Sequence, residues 1–280
     1  MKPIPKHFHF VFGLKPQNDP FHIAYYLCLQ SCISVNQPDR ISFYYHYEPY
    51  GQWWERIKPA LNLVLVDLED FVLNNKSYLQ HQEGQFITAM QLNYAHQADF
   101  IRLRVLIEHG GVYADMDTLF VNPLPEFLFK QDFVMGEESE ISDEQGNWQR
   151  SLCNALILSQ PQARFPRRWL DNMFQVFDGS WSQHSCKEAS KLSLEFPDEI
   201  CVVPECYFYK NVCTPEGIAK LFEHLDTDFA EVYSMHLWGH LWWDIRRVDF
   251  STFHAGLLTE GYIRQVDTTY SVIARRFLPG

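Results

Sequence analysis

The chain contains no apolar run of 18 residues, which leaves no candidate for a membrane-crossing helix, and Met1 to Phe12 holds no apolar stretch long enough for a signal-peptide core. The expectation is a chain without an anchor of its own: cytoplasmic, peripheral to a membrane, or delivered outside the cell by a signal not visible in it. Basic residues are in short supply, with 23 Lys and Arg against 35 Asp and Glu for a net charge of -12. That balance excludes nucleic-acid binding through a broad basic surface, because such affinity comes from cations that neutralise phosphates. A small anionic ligand held through a metal stays compatible. The seven cysteines (Cys28, Cys32, Cys153, Cys186, Cys201, Cys206 and Cys213) are odd in number and include no CxxC pair, so neither a closed disulfide framework nor a structural zinc site is indicated. Cys28 and Cys32 lie one helical turn apart and read as core thiols, in keeping with a reducing cytosol. Repeats and low-complexity segments are absent.

What is present is material for a large core: 280 residues, 46% apolar and 16% aromatic. Strand and helix patterns alternate. Ile4 to Phe12 reads as a strand, Pro20 to Val35 as a helix begun near Asp19, Arg40 to Tyr47 as a strand, Tyr50 to Leu61 as a short helix and Leu63 to Leu68 as a third strand. This alternation predicts an α/β fold on a mostly parallel sheet. Gln91 to His109 is the clearest long helix, stopped by Gly110-Gly111, where the first glycine can take the left-handed cap conformation. Val112 to Ala114, Asp132 to Gly136 and Ala155 to Ser159 follow as strands, and Phe165 to Phe177 as a helix. Beyond about Gly179 a helical, loop-rich elaboration is expected. The aromatic cluster Phe43 to Tyr47, with Trp53 and Trp54, reads as core and sheet packing.

The strand Val112 to Ala114 delivers two carboxylates, Asp115 and Asp117, at its C-terminal end, where ligands bind in open α/β sheets. In an extended segment residues i and i+2 share a side, so both can converge on one hard cation or on the ligand it carries. Upstream, Asp99 and Arg102 stand at i and i+3 on one helix face. Alone, such a pair reads as a surface salt bridge. Here Phe100, Ile101, Leu103, Val105, Leu106 and Ile107 surround it, and a charged pair on a largely buried helix needs partners beyond water; a polar ligand pocket would supply them. A second chemistry shares the letters Asp115-Met-Asp117-Thr118, since haloacid-dehalogenase-like phosphatases carry a nucleophile strand of that form. Those enzymes usually begin with the strand and later carry a Gly-Asp acidic motif. This chain places it after 114 residues and has no Gly-Asp dipeptide.

Taken together, Asp99-x-x-Arg102 followed by Gly110-Gly111-Val-Tyr113-x-Asp115-x-Asp117 resembles the sugar-binding DXD region of glycosyltransferase family 32 and its relatives. The opening Ile4-Pro5-Lys6-x-x-His9-x-x-x-Gly13 is similar to that group's first strand, Asn154 resembles its later strand asparagine, and His236-Leu237-Trp238 resembles its C-terminal His-x-Trp. These matches span positions 4 to 242. The resemblance implies a single GT-A-like domain, a Rossmann-like mixed sheet flanked by helices, with residues 1–160 as nucleotide-sugar core and 161–280 as acceptor-side elaboration and C-terminal metal and diphosphate segment.

It also implies a nucleotide-sugar donor, most often a UDP sugar, Mn²⁺ or Mg²⁺ as cofactor, and a glycan, lipid or protein acceptor. Asp117 would ligate the metal directly, Asp115 would hold the ribose or donor sugar and join the metal shell through water, and His236 would be the third ligand. Asp99 and Arg102 would hydrogen-bond sugar hydroxyls, Asn154 would touch donor sugar, and Val11, Phe12 and Gly13 would border the nucleoside. Asp115, Asp117 and Arg102 are thus the candidate catalytic residues. Trp242 is a candidate donor contact, either in a flap with Trp238, His240 and Trp243 or as an aromatic core edge. The segment Trp238-Gly239-His240-Leu241-Trp242 departs from the common family form in lacking a small hydroxyl residue before the later Trp. The expected activity is hexosyl transfer with retention, and the different-class alternative is a catalytically silent sugar- or nucleotide-binding protein. Carboxylates suit Mn²⁺ or Mg²⁺ better than thiolates would.

Overall fold

The computed structural model describes residues 3–68, 89–142, 148–178 and 181–280. Seven strands form the central sheet: β1 (His7–Val11), β2 (Arg40–Tyr45), β3 (Asn62–Leu65), β4 (Gly111–Ala114), β6 (Phe133–Ser142), β7 (Trp148–Ser159) and β8 (Cys201–Val203). Their order is β3-β2-β1-β4-β7-β6-β8. The half made of β3, β2, β1 and β4 is parallel, as the alternating sequence pattern predicts. The other half departs from the mostly parallel sheet that periodicity alone suggests and agrees with the mixed sheet that the resemblance implies: β7 runs antiparallel to both β4 and β6. β6 and β7 are also longer than expected. Their outer halves carry Glu137, Glu138, Gln149 and Ser151, where the sequence pattern marks no strand but the two segments pair antiparallel.

Side-chain alternation along the strands divides the core. Phe8 and Phe10 of β1, Phe43 of β2, and Val112 and Ala114 of β4 face a cluster built with α1 (Ile23–Asn36), α2 (Gln52–Ile57) and the C-terminal helices. Val11, Tyr44 and Tyr113 point to the opposite face, which α3 (Ala89–His109), α4 (Arg164–Val176) and α5 (Glu188–Glu195) cover. The period of two therefore decides which helix each strand residue meets. Cys28 and Cys32 are fully buried, and all seven cysteines are free thiols. Phe43 and Trp54 pack together in the core at 4.9 Å. Helix α1 starts later than expected because His22 rather than Asp19 caps it, its Nδ1 accepting from the Ala24 amide.

Helix α3 ends as its sequence indicates. Gly110 sits at φ +64 and its amide donates to the Leu106 carbonyl. Gly111, at φ +107, lies so close to β1 that a Cβ would come within 2.1 Å of the His7 carbonyl oxygen. A side chain at either position would be strained, and at Gly111 it would collide with the neighbouring strand. The turn is fastened from β1 by His9, whose buried Nε2 donates to the Gly110 carbonyl at 2.8 Å while Nδ1 faces the Tyr44 hydroxyl at 3.1 Å. Burial above all, then the charge of His7, pushes the His9 pKa down to about 3, so the ring is held neutral. Among the described residues no helix is long and apolar enough to cross a membrane.

Candidate metal and donor site

Asp115 and Asp117 leave the C-terminal end of β4 as expected, but through a turn rather than an extended segment. The Thr118 amide donates back to the Asp115 carbonyl at 3.0 Å, and Met116 turns into the core. The two carboxylates meet because the turn folds them together, and not through strand alternation. Beyond it, β5 (Thr118–Phe120) pairs antiparallel with β9 (Ser234–His236), setting Thr118 opposite His236. This ribbon carries His236 across 118 intervening residues to the acidic turn. One ligand atom from each of Asp115, Asp117 and His236 falls within 4.8 Å of the others.

The fit of this trio to a divalent cation can be judged from its free atoms. His236 is buried, its Nδ1 makes no hydrogen bond among the described residues, and that atom lies 3.5 Å from Asp117 Oδ1. Asp117 Oδ2 accepts the Gly239 amide at 2.7 Å, leaving Oδ1 for a ligand. Trp238, in the left-handed conformation at φ 54, aims that amide at Asp117. Asp115 accepts from the Tyr113 hydroxyl at 2.6 Å. Burial, only partly offset by Arg102 and His236 and reinforced by Asp117, raises the Asp115 pKa above the ordinary carboxylate value. Two carboxylates held together, of which Asp115 alone faces Arg102, at 3.5 Å, are disposed to take up a cation, and a borderline nitrogen beside oxygen donors suits Mn²⁺.

Behind the acidic turn lies a closed polar network. Arg102 sits between Asp99 at 3.0 Å and Asp115 at 3.5 Å, its Nη1 donates to the Asn154 carbonyl at 2.6 Å, and its plane rests over the Tyr113 ring, 4.6 Å from the centroid. Asp99 accepts from Asn154 Nδ2 at 2.9 Å on one oxygen and from His184 Nε2 at 3.0 Å on the other. Burial opposes ionisation of Asp99, but Arg102 first and His184 next outweigh it, and its pKa falls below the usual value. The carbonyl of Asn154 is available because β7 bulges between Cys153 and Ile157, an irregularity of the kind that re-aims groups beside functional sites. The side chains of Arg102 and Asp99 are 6% and 9% exposed, against 25% for Asp115 and 18% for Asp117. The aspartate turn is therefore the face open to a ligand, and the Asp99–Arg102 pair is a support built behind it.

The remaining candidates are placed unevenly. Gly13 follows β1 at the same sheet edge, its carbonyl accepting the amides of His46 and Tyr47. Val11 is buried towards α3, and Phe12 packs edge-on against Phe21 and beside Tyr25. Trp242 is not brought to the site. It is fully buried against Phe222 and Phe253 with its indole N–H donated to the Leu237 carbonyl, and Trp238 is core as well, so these two rings form the aromatic core edge rather than a flap. Trp243 stacks on Tyr25 at 4.7 Å. His184, which the sequence did not single out, arrives on a one-turn π-helix (Gln183–Lys187) within the elaboration after Gly179. No local pattern marks it. Tyr113 could have been found, since it shares a strand face with Asp115.

Residues 28–134 match the model of the glycosyltransferase sugar-binding region containing a DXD motif. Over 98% of its length and 71% of the relative's, the chain is 28% identical to glucan organizing enzyme 1 of Cryptococcus neoformans. It is 28% identical over 102 residues, 36% of this chain and 26% of the relative, to the initiation-specific alpha-1,6-mannosyltransferase of Candida albicans. Among solved structures, the galactosyltransferase LgtC in complex with donor and acceptor sugar analogues aligns with 98% of this chain and 97% of its own, at 13% identity and a TM-score of 0.48.

Proposed function

We propose, on the premise that this chain is a glycosyltransferase of the DXD-containing, family 32-like type, that it moves a hexosyl group from a nucleotide-sugar donor, a UDP sugar, to a glycan, lipid or protein acceptor with retention of configuration. The observation that carries the reading is the convergence of Asp115, Asp117 and His236, with an open carboxylate oxygen and an unpartnered imidazole nitrogen facing each other at 3.5 Å. Mn²⁺ or Mg²⁺ held there by Asp117, His236 and Asp115 would neutralise the diphosphate charge that grows as the glycosidic bond breaks. The names of the relatives, a glucan organizing enzyme and a mannosyltransferase, favour a hexose donor and a glycan acceptor.

Each protein group then has a part. Asp117 is held by the Gly239 amide so that Oδ1 faces the ligand. Asp115 is steered by Tyr113 and Arg102, which fix its rotamer before any donor arrives, and that pre-organisation is where binding free energy is saved. Arg102, with its donors already committed to Asp99, Asp115 and the Asn154 carbonyl, shapes the pocket wall, and Asp99 and Asn154 hold it in place. Val11, Phe12 and Gly13 border the nucleoside from the end of β1. Free thiols throughout support a cytoplasmic setting. The experiment is a panel of UDP and GDP sugars assayed for Mn²⁺-dependent hydrolysis, which needs no acceptor. Slow hydrolysis of at least one donor, abolished by chelation, is the expected result; no turnover of any donor with intact nucleotide binding would make the protein a silent binder.

A further inference from the structure

Four lysines among the described residues are not fully exposed: Lys6, Lys15, Lys58 and Lys210. Three face a carboxylate, Lys6 that of Glu126, Lys58 that of Glu48 and Lys210 that of Asp226. Lys15 has no carboxylate within ion-pair distance among the described residues; its ammonium rests instead over the Tyr94 ring, 4.4 Å from the centroid. In a chain with net charge -12, a partly buried cation that no carboxylate among the described residues neutralises is out of keeping with its surroundings. A desolvated ammonium without an anion is costly, and a ring face offsets only part of that cost.

Its position gives the exception a meaning. Lys15 lies four residues past the end of β1, and β1 runs parallel to β4, so the loop that carries it emerges at the sheet edge where Asp115 and Asp117 emerge. Tyr94, whose ring seats Lys15, stands on α3 two turns before Arg102. Desolvation first, then the charges of Asp117 and Asp115, push the pKa of its hydroxyl up to about 12. Arg102 cannot serve an incoming anion from here, because its donors are spent on Asp99, Asp115 and the Asn154 carbonyl. Among the described residues the edge therefore holds two open carboxylates and one cation, Lys15, without an ion-pair partner.

We propose that Lys15 is a donor-binding residue that engages a phosphate oxygen of the nucleoside diphosphate, with Tyr94 as its seat while the site is open. The inference rests on the glycosyltransferase reading and adds a direct protein cation opposite the metal ligands. A diphosphate bound between the aspartate turn and Lys15 would be neutralised from two sides, and the ammonium would gain an anion that no described residue supplies. The ring already restrains the ammonium, so less side-chain freedom is lost when the ligand arrives.

The test measures UDP binding by calorimetry in Mn²⁺, and uridine binding by ligand-observed NMR, for the wild type, Lys15→Gln, Lys15→Met and Lys15→Arg, with thermal unfolding as the check on folding. A tenfold or greater loss of UDP affinity is expected in Lys15→Gln and Lys15→Met, with uridine binding unchanged and UDP affinity largely restored in Lys15→Arg. Wild-type UDP affinity in the neutral variants would overturn the assignment, as would parallel loss of UDP and uridine, which would place Lys15 at the nucleoside or in the loop's own structure. If the wild type binds neither UDP nor GDP, the glycosyltransferase reading falls and this inference with it. Wild-type binding that ignores the substitutions defeats the inference alone.

Discussion

Replacing Arg102 by Leu removes the one cation that the structure sets between Asp99 and Asp115, at 3.0 and 3.5 Å, together with a hydrogen bond to the Asn154 carbonyl at 2.6 Å. Were the pair a surface salt bridge, the loss would be roughly 0–1 kcal/mol. Both side chains are more than nine-tenths buried, and deleting one member of a buried pair leaves an uncompensated charge, at about 3–5 kcal/mol. For a chain of this size that corresponds to a fall in Tm of about 6–20 °C at neutral pH. The sign of the pH dependence is a second constraint. Without Arg102 the folded-state pKa of Asp99 rises, and that of Asp115, already above its ordinary value, rises further. The folded variant then binds more protons than its unfolded chain just above pH 4, so its deficit relative to wild type shrinks as pH falls from 7.5 towards 5. Urea unfolding of both proteins at the two pH values measures this directly. A deficit under 1 kcal/mol at pH 7.5, or one that grows on acidification, would refute the buried-network description.

Four further outcomes follow from the same geometry. Because the His9 pKa is lowered from 6.5 to about 3, the unfolded chain takes up the proton first, and this group alone should cost about 1.4 kcal/mol of stability per pH unit below 6.5; His9→Gln should flatten the acid limb of a stability-versus-pH curve, and an unchanged limb would contradict the neutral assignment. Gly111→Ala should destabilise by more than 2 kcal/mol, since its Cβ would meet the His7 carbonyl oxygen at 2.1 Å; a Tm within 2 °C of wild type would argue against the close approach of α3's end to β1. His184→Gln keeps a donor for Asp99 and should hold donor turnover within about threefold, whereas His184→Leu should lower kcat tenfold or more with little change in UDP affinity; equal effects of the two would assign His184 to packing. Trp242→Phe should lower stability without altering the KM for donor, as its burial against Phe222 and Phe253 requires.

The parallel half of the sheet, helix α3 and the glycine turn were legible because each rests on local signals: apolar periodicity, two glycines at a helix end, and short strands between helices. Asp115, Asp117, Asp99, Arg102 and Asn154, which the structure brings together, were marked for the same reason, as all belong to one continuous motif or a marked strand. The antiparallel outer strands were not, because the acidic half of β6 resembles a loop until β7 pairs with it. His184 is joined to Asp99 from 85 residues away by a π-helical turn, and nothing near it in sequence announces the contact. Lys15 stands out only when its lack of a carboxylate partner among the described residues is set against the pairing of Lys6, Lys58 and Lys210. The fate of Trp242 turned on packing from Phe222 and Phe253, which composition cannot specify.

The most direct test of the site at Asp115, Asp117 and His236 is the calorimetric affinity for UDP measured in Mn²⁺ and again in excess EDTA, for the wild type and for Asp117→Asn. A metal bridge between the aspartate turn and the diphosphate predicts strong weakening of wild-type binding on chelation and an Asp117→Asn protein that is weak in both conditions yet no less stable without metal, since one of two neighbouring carboxylates has been neutralised. Equal wild-type affinity with Mn²⁺ and with EDTA, or Mn²⁺-enhanced binding that survives Asp117→Asn, would contradict it.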